Sequence, residues 1–217
     1  MLSKENNLKI KMQNVHLDQV RHFKYLGLVC DENLNWNLHI DRMLTKIGKM
    51  VGFLGRLRRT LNESTLNRIY KSLILPHFDY GDIIYGSTFD IHTNKLQKLQ
   101  NRAGRIILKV RPETHLSTAE MHNALQWQML KKRRSDHSLT FMYKIMNGLT
   151  PDYLCDDFKY VNTPYNVRSG ETIFLPKPRT EYLKKTFKYR CAKSYNDLPL
   201  EIKCSSSLSI FKSKLAK

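Results

Sequence analysis

A mainly α chain with a small N-terminal β-hairpin is predicted by three observations. Strand-like runs, with apolar alternation or aromatic and branched residues in succession, fall mainly in the segment before Asn37. Beyond it, apolar residues recur at steps of three and four through one stretch after another. Capping residues and prolines then cut this helical part into segments of ordinary length.

Taken in order, Leu8–Met12 alternates apolar and basic residues, and Phe23–Val29 is rich in aromatic and branched ones. Gly27 inside that run suggests a bulge or a close approach by another backbone, and Asp31-Glu32-Asn33 ends it as a turn. From Asn37, Ile40, Leu44, Ile47, Val51, Leu54 and Leu61 share one helical face, with Arg42, Lys46, Lys49 and Arg56 opposite. Asn62 caps a helix over Glu63–Leu75 that Pro76 is expected to stop. The aromatic stretch Pro76–Gly86 fits a bent helix or a packed loop.

Asp90–Val110 carries two stripes. Lys95, Lys98, Arg102, Arg105 and Lys109 fall on one face, and Leu96, Leu99, Ala103, Ile106 and Val110 on a neighbouring one. A single helix here would hold five cations in a line of about 20 Å, at about 1.5 Å per residue. No acidic residue between Asp90 and Glu113 neutralises it. Arg111-Pro112 breaks the pattern. Ser117 with Glu120 forms a capping box, and Gln128–Met146 is a longer helix ended by Asn147-Gly148. Lys131, Lys132, Arg133 and Arg134 open it, and four consecutive cations cannot share one face. Thr150–Arg179 loses helical period, with a short strand expected at Glu171–Leu175. Tyr182–Asn196 is again helical and basic, Asp197-Leu198-Pro199 stops it, and Ser207–Lys217 forms a last short helix.

The charge narrows the partner. Among 217 residues, 37 Lys and Arg stand against 19 Asp and Glu, a formal +18. Such an excess suits a polyanion, and single-signed cation rows beside packed faces suit a phosphate backbone. RNA, DNA or an RNA–DNA hybrid, bound without sequence preference, is the expected partner. A membrane is not, because no apolar run reaches the roughly 20 residues that span a bilayer and the basic helices lack a broad aromatic face. The N-terminus carries no signal-peptide stretch, so an intracellular protein, nuclear or in a cytoplasmic ribonucleoprotein, is expected. Cys30, Cys155, Cys191 and Cys204 are scattered and read as reduced thiols. His16 and His22 are a weak metal signal, and no metal or cofactor is expected.

Several blocks, in order, resemble one family. Phe23-Lys24-Tyr25-Leu26-Gly27 followed by Trp36-Asn37-Leu38-His39-Ile40 looks like the end of the reverse-transcriptase domain of non-LTR retrotransposons of the LINE kind. The later blocks resemble the region downstream of that domain in the jockey and chicken-repeat-like groups. They are Pro76-His77-Phe78-Asp79-Tyr80-Gly81, Leu96-Gln97-Lys98-Leu99-Gln100-Asn101-Arg102-Ala103, Arg105-Ile106-Ile107, Leu125-Gln126-Trp127, Pro151-Asp152-Tyr153-Leu154 and Tyr195-Asn196-Asp197-Leu198-Pro199. Tyr195 stands where tryptophan is usual, and Gly81 where cysteine is common. The resemblance implies that residues 1–35 are the last strands of a polymerase palm, with Tyr25, Leu26 and Gly27 near the primer. It implies a thumb-like helical bundle over 36–75, a basic helical post-thumb region over 76–150, and an irregular linker with basic helices over 151–217.

Polymerisation needs carboxylates that hold two metal ions, and in this family they lie upstream of the Tyr-Leu-Gly block. Tyr153-Leu154-Cys155-Asp156-Asp157 only superficially resembles the aromatic–x–Asp–Asp turn, and no partner aspartate in a matching context precedes it. No catalytic residue and no enzymatic activity are therefore expected, only a truncated polymerase that keeps backbone binding. By the same resemblance, the palm and endonuclease portion of a full-length element is a further candidate partner. Trp36, Tyr70, Tyr80 and Trp127 could stack on bases, yet each falls in an apolar context and is read as core. Lys131–Arg134 also fits a nuclear import signal. The competing reading is a helical protein–protein interaction module with no nucleic-acid role.

Overall fold

The computed structural model describes residues 10–86, 90–111, 113–161 and 172–216. Two antiparallel hairpins lead the chain: β1 (Lys11–Met12) with β2 (Val15–His16), and β3 (His22–Tyr25) with β4 (Leu28–Asp31). Each closes on two residues of positive φ, Gln13-Asn14 in the first and Leu26-Gly27 in the second, the condition for the tight hairpin turn whose twist matches the strands. Gly27 therefore sits in the turn and makes no bulge. What approaches it is a side chain: a Cβ there would lie 3.4 Å from the Tyr80 ring. Leu8 and Lys9, which open the alternating run, lie outside the described residues.

The helices come next: α1 (Asn37–Leu57), α2 (Glu63–Ile69), a π-turn (Tyr70–Ile74), α3 (Leu75–Asp79), α4 (Asp82–Tyr85), α5 (Asp90–Ile107), α6 (Thr118–Leu125), α7 (Leu130–Met146), α8 (Asp152–Cys155), α9 (Glu181–Lys185), α10 (Phe187–Asn196), α11 (Leu200–Lys203) and α12 (Leu208–Leu215). Asp31 organises the entry to α1, its carboxylate accepting from the backbone N–H of Asn33, Asn35 and Trp36 at 3.1, 3.2 and 2.9 Å. Asn62 caps α2 by accepting from Thr65 N–H, and the Ser117–Glu120 capping box opens α6 in both directions. Those hydrogen bonds from Ser117 hold the Glu120 carboxyl below its ordinary value.

Three boundaries differ from the sequence expectation. Pro76 does not stop its helix: the chain widens to π geometry over Tyr70–Ile74 and runs on as α3. Wider turns relieve the clash of a proline ring with the preceding carbonyls. The helix expected over Tyr182–Asn196 is two, because the Thr186 hydroxyl caps α10 by accepting from Tyr189 N–H. The strand expected at Glu171–Leu175 is a single antiparallel bridge, Tyr160 with Ile173, and Glu171 lies outside the described residues.

Buried side chains gather in two clusters. The first joins Ile40, Ile47, Val51 and Leu54 of α1 to Leu66, Tyr70 and Phe78, to Leu96, Ala103 and Ile107 of α5, and to Met121 and Leu130. The second joins Leu139, Met142 and Tyr143 of α7 to Cys191 and Tyr195 of α10 and Phe211 of α12. Helix α7 thus contributes its first turn to one and its second half to the other. Trp36 and Tyr70 are buried as expected, and Trp127 stacks on Tyr70 at 3.9 Å while donating to Asn67 Oδ1 at 3.0 Å. Tyr80 is not core: it is 56% exposed and its hydroxyl donates to the Leu26 carbonyl. Gly81 takes φ +69, and a Cβ there would lie 2.8 Å from a Leu28 methyl carbon, so β4 reaches α4 only because this position is bare.

Polar residues of the α5 block face inward rather than toward solvent. Gln97 donates to Gln100 and Asn101 and accepts from Leu130 N–H, Gln100 donates to the Gln128 carbonyl, and Asn101 meets His122 at 3.0 Å. This network ties α5 to α6 and to the start of α7 by satisfying loop backbone groups that would otherwise be buried unpaired. In the second cluster, Asn196 both accepts from Ile173 N–H and donates to its carbonyl, each at 2.9 Å.

Candidate nucleic-acid interface

Helices α1 and α5 pack against each other, and each turns a basic line outward. Their C-terminal ends meet: a Cβ on Gly55 would touch Ile106 at 3.7 Å, and Arg58 donates to the Val110 carbonyl at 3.1 Å. Arg42, Lys46, Lys49 and Arg56 on α1 are exposed, as are Lys95, Lys98, Arg102 and Arg105 on α5. None of the eight is in an ion pair among the described residues. Arg56 lies over the Phe53 ring, 5.6 Å from its centroid, a contact that fixes the guanidinium without neutralising it.

Lys109 departs from the expected line. Helix α5 ends at Ile107, and Lys109 takes φ +51 in a closing turn where Val110 N–H donates to Arg105 O and Lys109 N–H to Ile106 O. That pattern ends a helix with one left-handed residue, commonly glycine. Lys109 is exposed just past the helix rather than on its face.

The basic quartet divides. Lys131 is exposed; Lys132 bridges Asp136 at 2.9 Å and donates to the Leu215 carbonyl at 3.0 Å. Arg133 and Arg134 turn inward, so only part of the run, Lys131 and Lys132, projects to solvent. Arg133 forks onto both Asp79 oxygens at 2.6 and 2.7 Å, and Arg134, 5% exposed, lies over the Tyr85 ring at 5.2 Å. The cause is helical spacing. Arg133 and His137 share one face of α7, and Asp79 and Asp82 meet them there, with His137 Nδ1 2.6 Å from Asp82 Oδ2. These three donors, Asp79, Asp82 and His137, come within 4.8 Å of one another. Both Asp79 oxygens are taken by the Arg133 guanidinium, and Asp82 Oδ2 by His137 Nδ1. The group is a clasp between helices.

Of Tyr25, Leu26 and Gly27, only Gly27 meets part of the α1 line in a shared cavity wall. A cavity of about 540 Å³ lies between the hairpin turn, α1 and α3, and Lys24, Gly27, Arg42, Lys46, His77 and Tyr80 are in its wall. Tyr25 and Leu26 themselves are 63% and 72% exposed. Spacing alone missed Lys24, His77 and Tyr80, since nothing local shows that a segment fifty residues on folds back to the hairpin. Burial, then the neighbouring Lys46 charge, lowers the His77 pKa.

His39 holds this corner together. It is buried, accepts from Val29 N–H through Nδ1 at 3.4 Å, and meets the Tyr85 ring edge-on at 5.0 Å. Burial, then Arg42, lowers its pKa, and burial lowers that of His122. An unfolded chain therefore takes up protons that these folded histidines refuse. Stability is held above the unfolded histidine value of about 6.5 and lost as pH falls below it. The melting temperature is expected to drop between about pH 7.5 and about pH 5.5, and His39→Gln is expected to flatten that drop.

Asp156 and Asp157 come directly after α8 and are exposed, with Asp157 paired to Lys188 at 2.8 Å. The four cysteines are free. Among the described residues no helix is long and apolar enough to cross a membrane.

Comparison with known proteins gives partial matches of one kind. The chain is 30% identical over 101 residues to a probable RNA-directed DNA polymerase from transposon X-element of Drosophila melanogaster, covering 45% of this chain and 11% of that protein. It is 34% identical over 95 residues to the RNA-directed DNA polymerase from mobile element jockey of the same organism, covering 41% of this chain and 10% of that protein. It is 26% identical over 133 residues to a probable RNA-directed DNA polymerase from transposon BS, covering 59% and 14%. These matches bear out the resemblance to non-LTR polymerases, and they span only 10–14% of the relatives' own lengths. No protein-family model and no solved structure matches.

Proposed function

We propose that this chain is the part of a non-LTR transposon's RNA-directed DNA polymerase that holds the nucleic acid. It grips backbone phosphates without reading bases, and it carries none of the carboxylates that drive synthesis. The observation behind this reading is the pair of exposed cation lines, without ion pairs among the described residues, on the packed helices α1 and α5. Cations spaced along rigid helices suit successive phosphates, which position a strand but carry no sequence information. In this reading residues 1–35 belong to the palm, 36–75 to the thumb, 76–150 to a post-thumb region and 151–217 to a basic end piece. The cavity shared by Gly27, Arg42 and Lys46 then lies where palm and thumb meet near the primer.

The test is affinity for duplex DNA, RNA and an RNA–DNA hybrid of unrelated sequences. Affinities for unrelated sequences are expected to agree within a few-fold, against the 10³-fold or more, as an order of magnitude, of specific readers. No primer extension is expected with magnesium and nucleotides. A strong preference for one sequence, or extension of a primer, would refute the reading.

A second reading, a protein-interaction module without a nucleic-acid role, draws on the hairpins. Ile10, Met12, Val15, Leu17, Phe23 and Tyr25 are each more than half exposed, an apolar surface of the kind that partners cover. The polymerase reading accounts for the same surface as the face that packs on the rest of the palm, whereas the helices bury their apolar faces against one another.

A further inference from the structure

A cavity of about 310 Å³ lies where α7 passes α10 and the start of α5. Arg134 and Arg190 line it, joined by Lys131, Lys184 and Lys185, and no carboxylate is among its described lining residues. Arg134 is 5% exposed, yet among the described residues its Nε and Nη2 have no hydrogen-bond partner, and neither has the buried Nε of Arg190. The remaining contacts of these two side chains are few: Arg134 lies over the Tyr85 ring at 5.2 Å and reaches Thr93 Oγ1 at 3.5 Å, and Arg190 donates to the Ile83 carbonyl at 3.2 Å. Of the lysines, Lys184 pairs with Glu181 at 2.6 Å. The Ser135 and Ser138 hydroxyls add donors to the wall.

Buried guanidinium N–H groups without acceptors are costly, and two like charges in one cavity add to that cost. Water would supply acceptors but leave the charge. A phosphate supplies both, with oxygens that fit the guanidinium fork. The volume is at the lower end of ordinary small-ligand sites, about 300–1,000 Å³, room for a phosphate and its adjoining sugar.

We propose that this cavity takes one phosphate group of a nucleic-acid strand, through Arg134 and Arg190. It rests on the nucleic-acid reading but is a distinct site, set on α7 and α10 rather than on the basic lines. Three proteins decide it: the parent chain, Arg134→Gln, and Ser135→Glu, which places a carboxylate at the exposed rim without touching either arginine. Ser209→Glu, the same charge change on α12, is the control.

Inorganic phosphate, against chloride of equal ionic strength, is expected to raise the melting temperature of the parent and of Ser209→Glu by roughly 3–6 °C at ten times its dissociation constant. Ser135→Glu and Arg134→Gln are expected to lose that rise. No rise in the parent, or the same rise in Ser135→Glu, overturns the proposal. Oligonucleotides with and without a 5′-phosphate separate the two sources of the group. A loss of about tenfold in Ser135→Glu beyond the control, about 1.4 kcal/mol, seen with both oligonucleotides assigns the cavity to internal phosphodiesters. Seen only with the phosphorylated one, it assigns it to a strand end; seen with neither, it overturns it. If the phosphate response is absent while the chain still binds nucleic acid with steep salt dependence, the cavity alone is refuted and the wider reading stands.

Discussion

Changing Lys95, Lys98, Arg102, Arg105 and Lys109 together to glutamine is expected to abolish most nucleic-acid affinity while leaving the fold intact. All five are exposed and none is in an ion pair among the described residues. Their removal breaks no ion pair among the described residues and relieves self-repulsion in a chain of formal charge +18. If each meets one phosphate, the slope of log affinity against log salt flattens by up to about 4 units, and affinity near 0.1 M salt falls on the order of 10³-fold. Fluorescence anisotropy over a salt series reads both, and circular dichroism checks the fold. The same count of glutamines placed at the exposed Lys159, Lys177, Arg179, Lys193 and Lys212, outside both basic lines, is expected to cost far less.

Asp79→Ala is expected to be the most damaging single change to stability outside the hydrophobic clusters. It strips Arg133 of a two-pronged carboxylate partner at 2.6 and 2.7 Å, with both side chains less than a third exposed. Removing one member of a buried pair costs about 3–5 kcal/mol, and partial exposure here brings that to about 2–3 kcal/mol. The melting temperature would fall by roughly 4–12 °C. Asp157→Ala, which breaks the exposed pair with Lys188, is expected to cost less than about 0.5 kcal/mol. The double change Asp79→Leu with Arg133→Met should recover much of the loss, because an apolar pair leaves no stranded charge. Equal effects of Asp79→Ala and Asp157→Ala would show that the clasp is not what joins α7 to the segment around α3 and α4.

The sequence exposed what depends on local periodicity. The buried face of α1 up to Leu54, the outward basic lines except Lys109 and the Asn62 and Ser117 caps appear where spacing put them, because each is decided within a turn or two of helix. It hid what depends on distant partners. Nothing around Arg133 says that Asp79, fifty-four residues earlier, will meet it, and so a surface-looking basic run became half structural. Tyr80 looks like core in its own aromatic neighbourhood, yet it clamps a hairpin turn more than fifty residues away. Pro76 is a reliable stop only in an α-helix; a π-turn just before it removes the clash that makes it one. Gln97, Gln100 and Asn101 belonged to a recognisable block, but only the fold shows why they are needed: they satisfy the backbone of the α6–α7 connection and the ring of His122.

The most direct test of the central claim is the salt dependence of binding by the unaltered chain to a hybrid duplex. Five to nine phosphates held by the two cation lines predict a straight fall of log affinity with log salt, at a slope between roughly −4 and −8. A slope flatter than about −1 would mean that hardly any phosphate is neutralised, and would contradict the claim that α1 and α5 form a surface for nucleic acid.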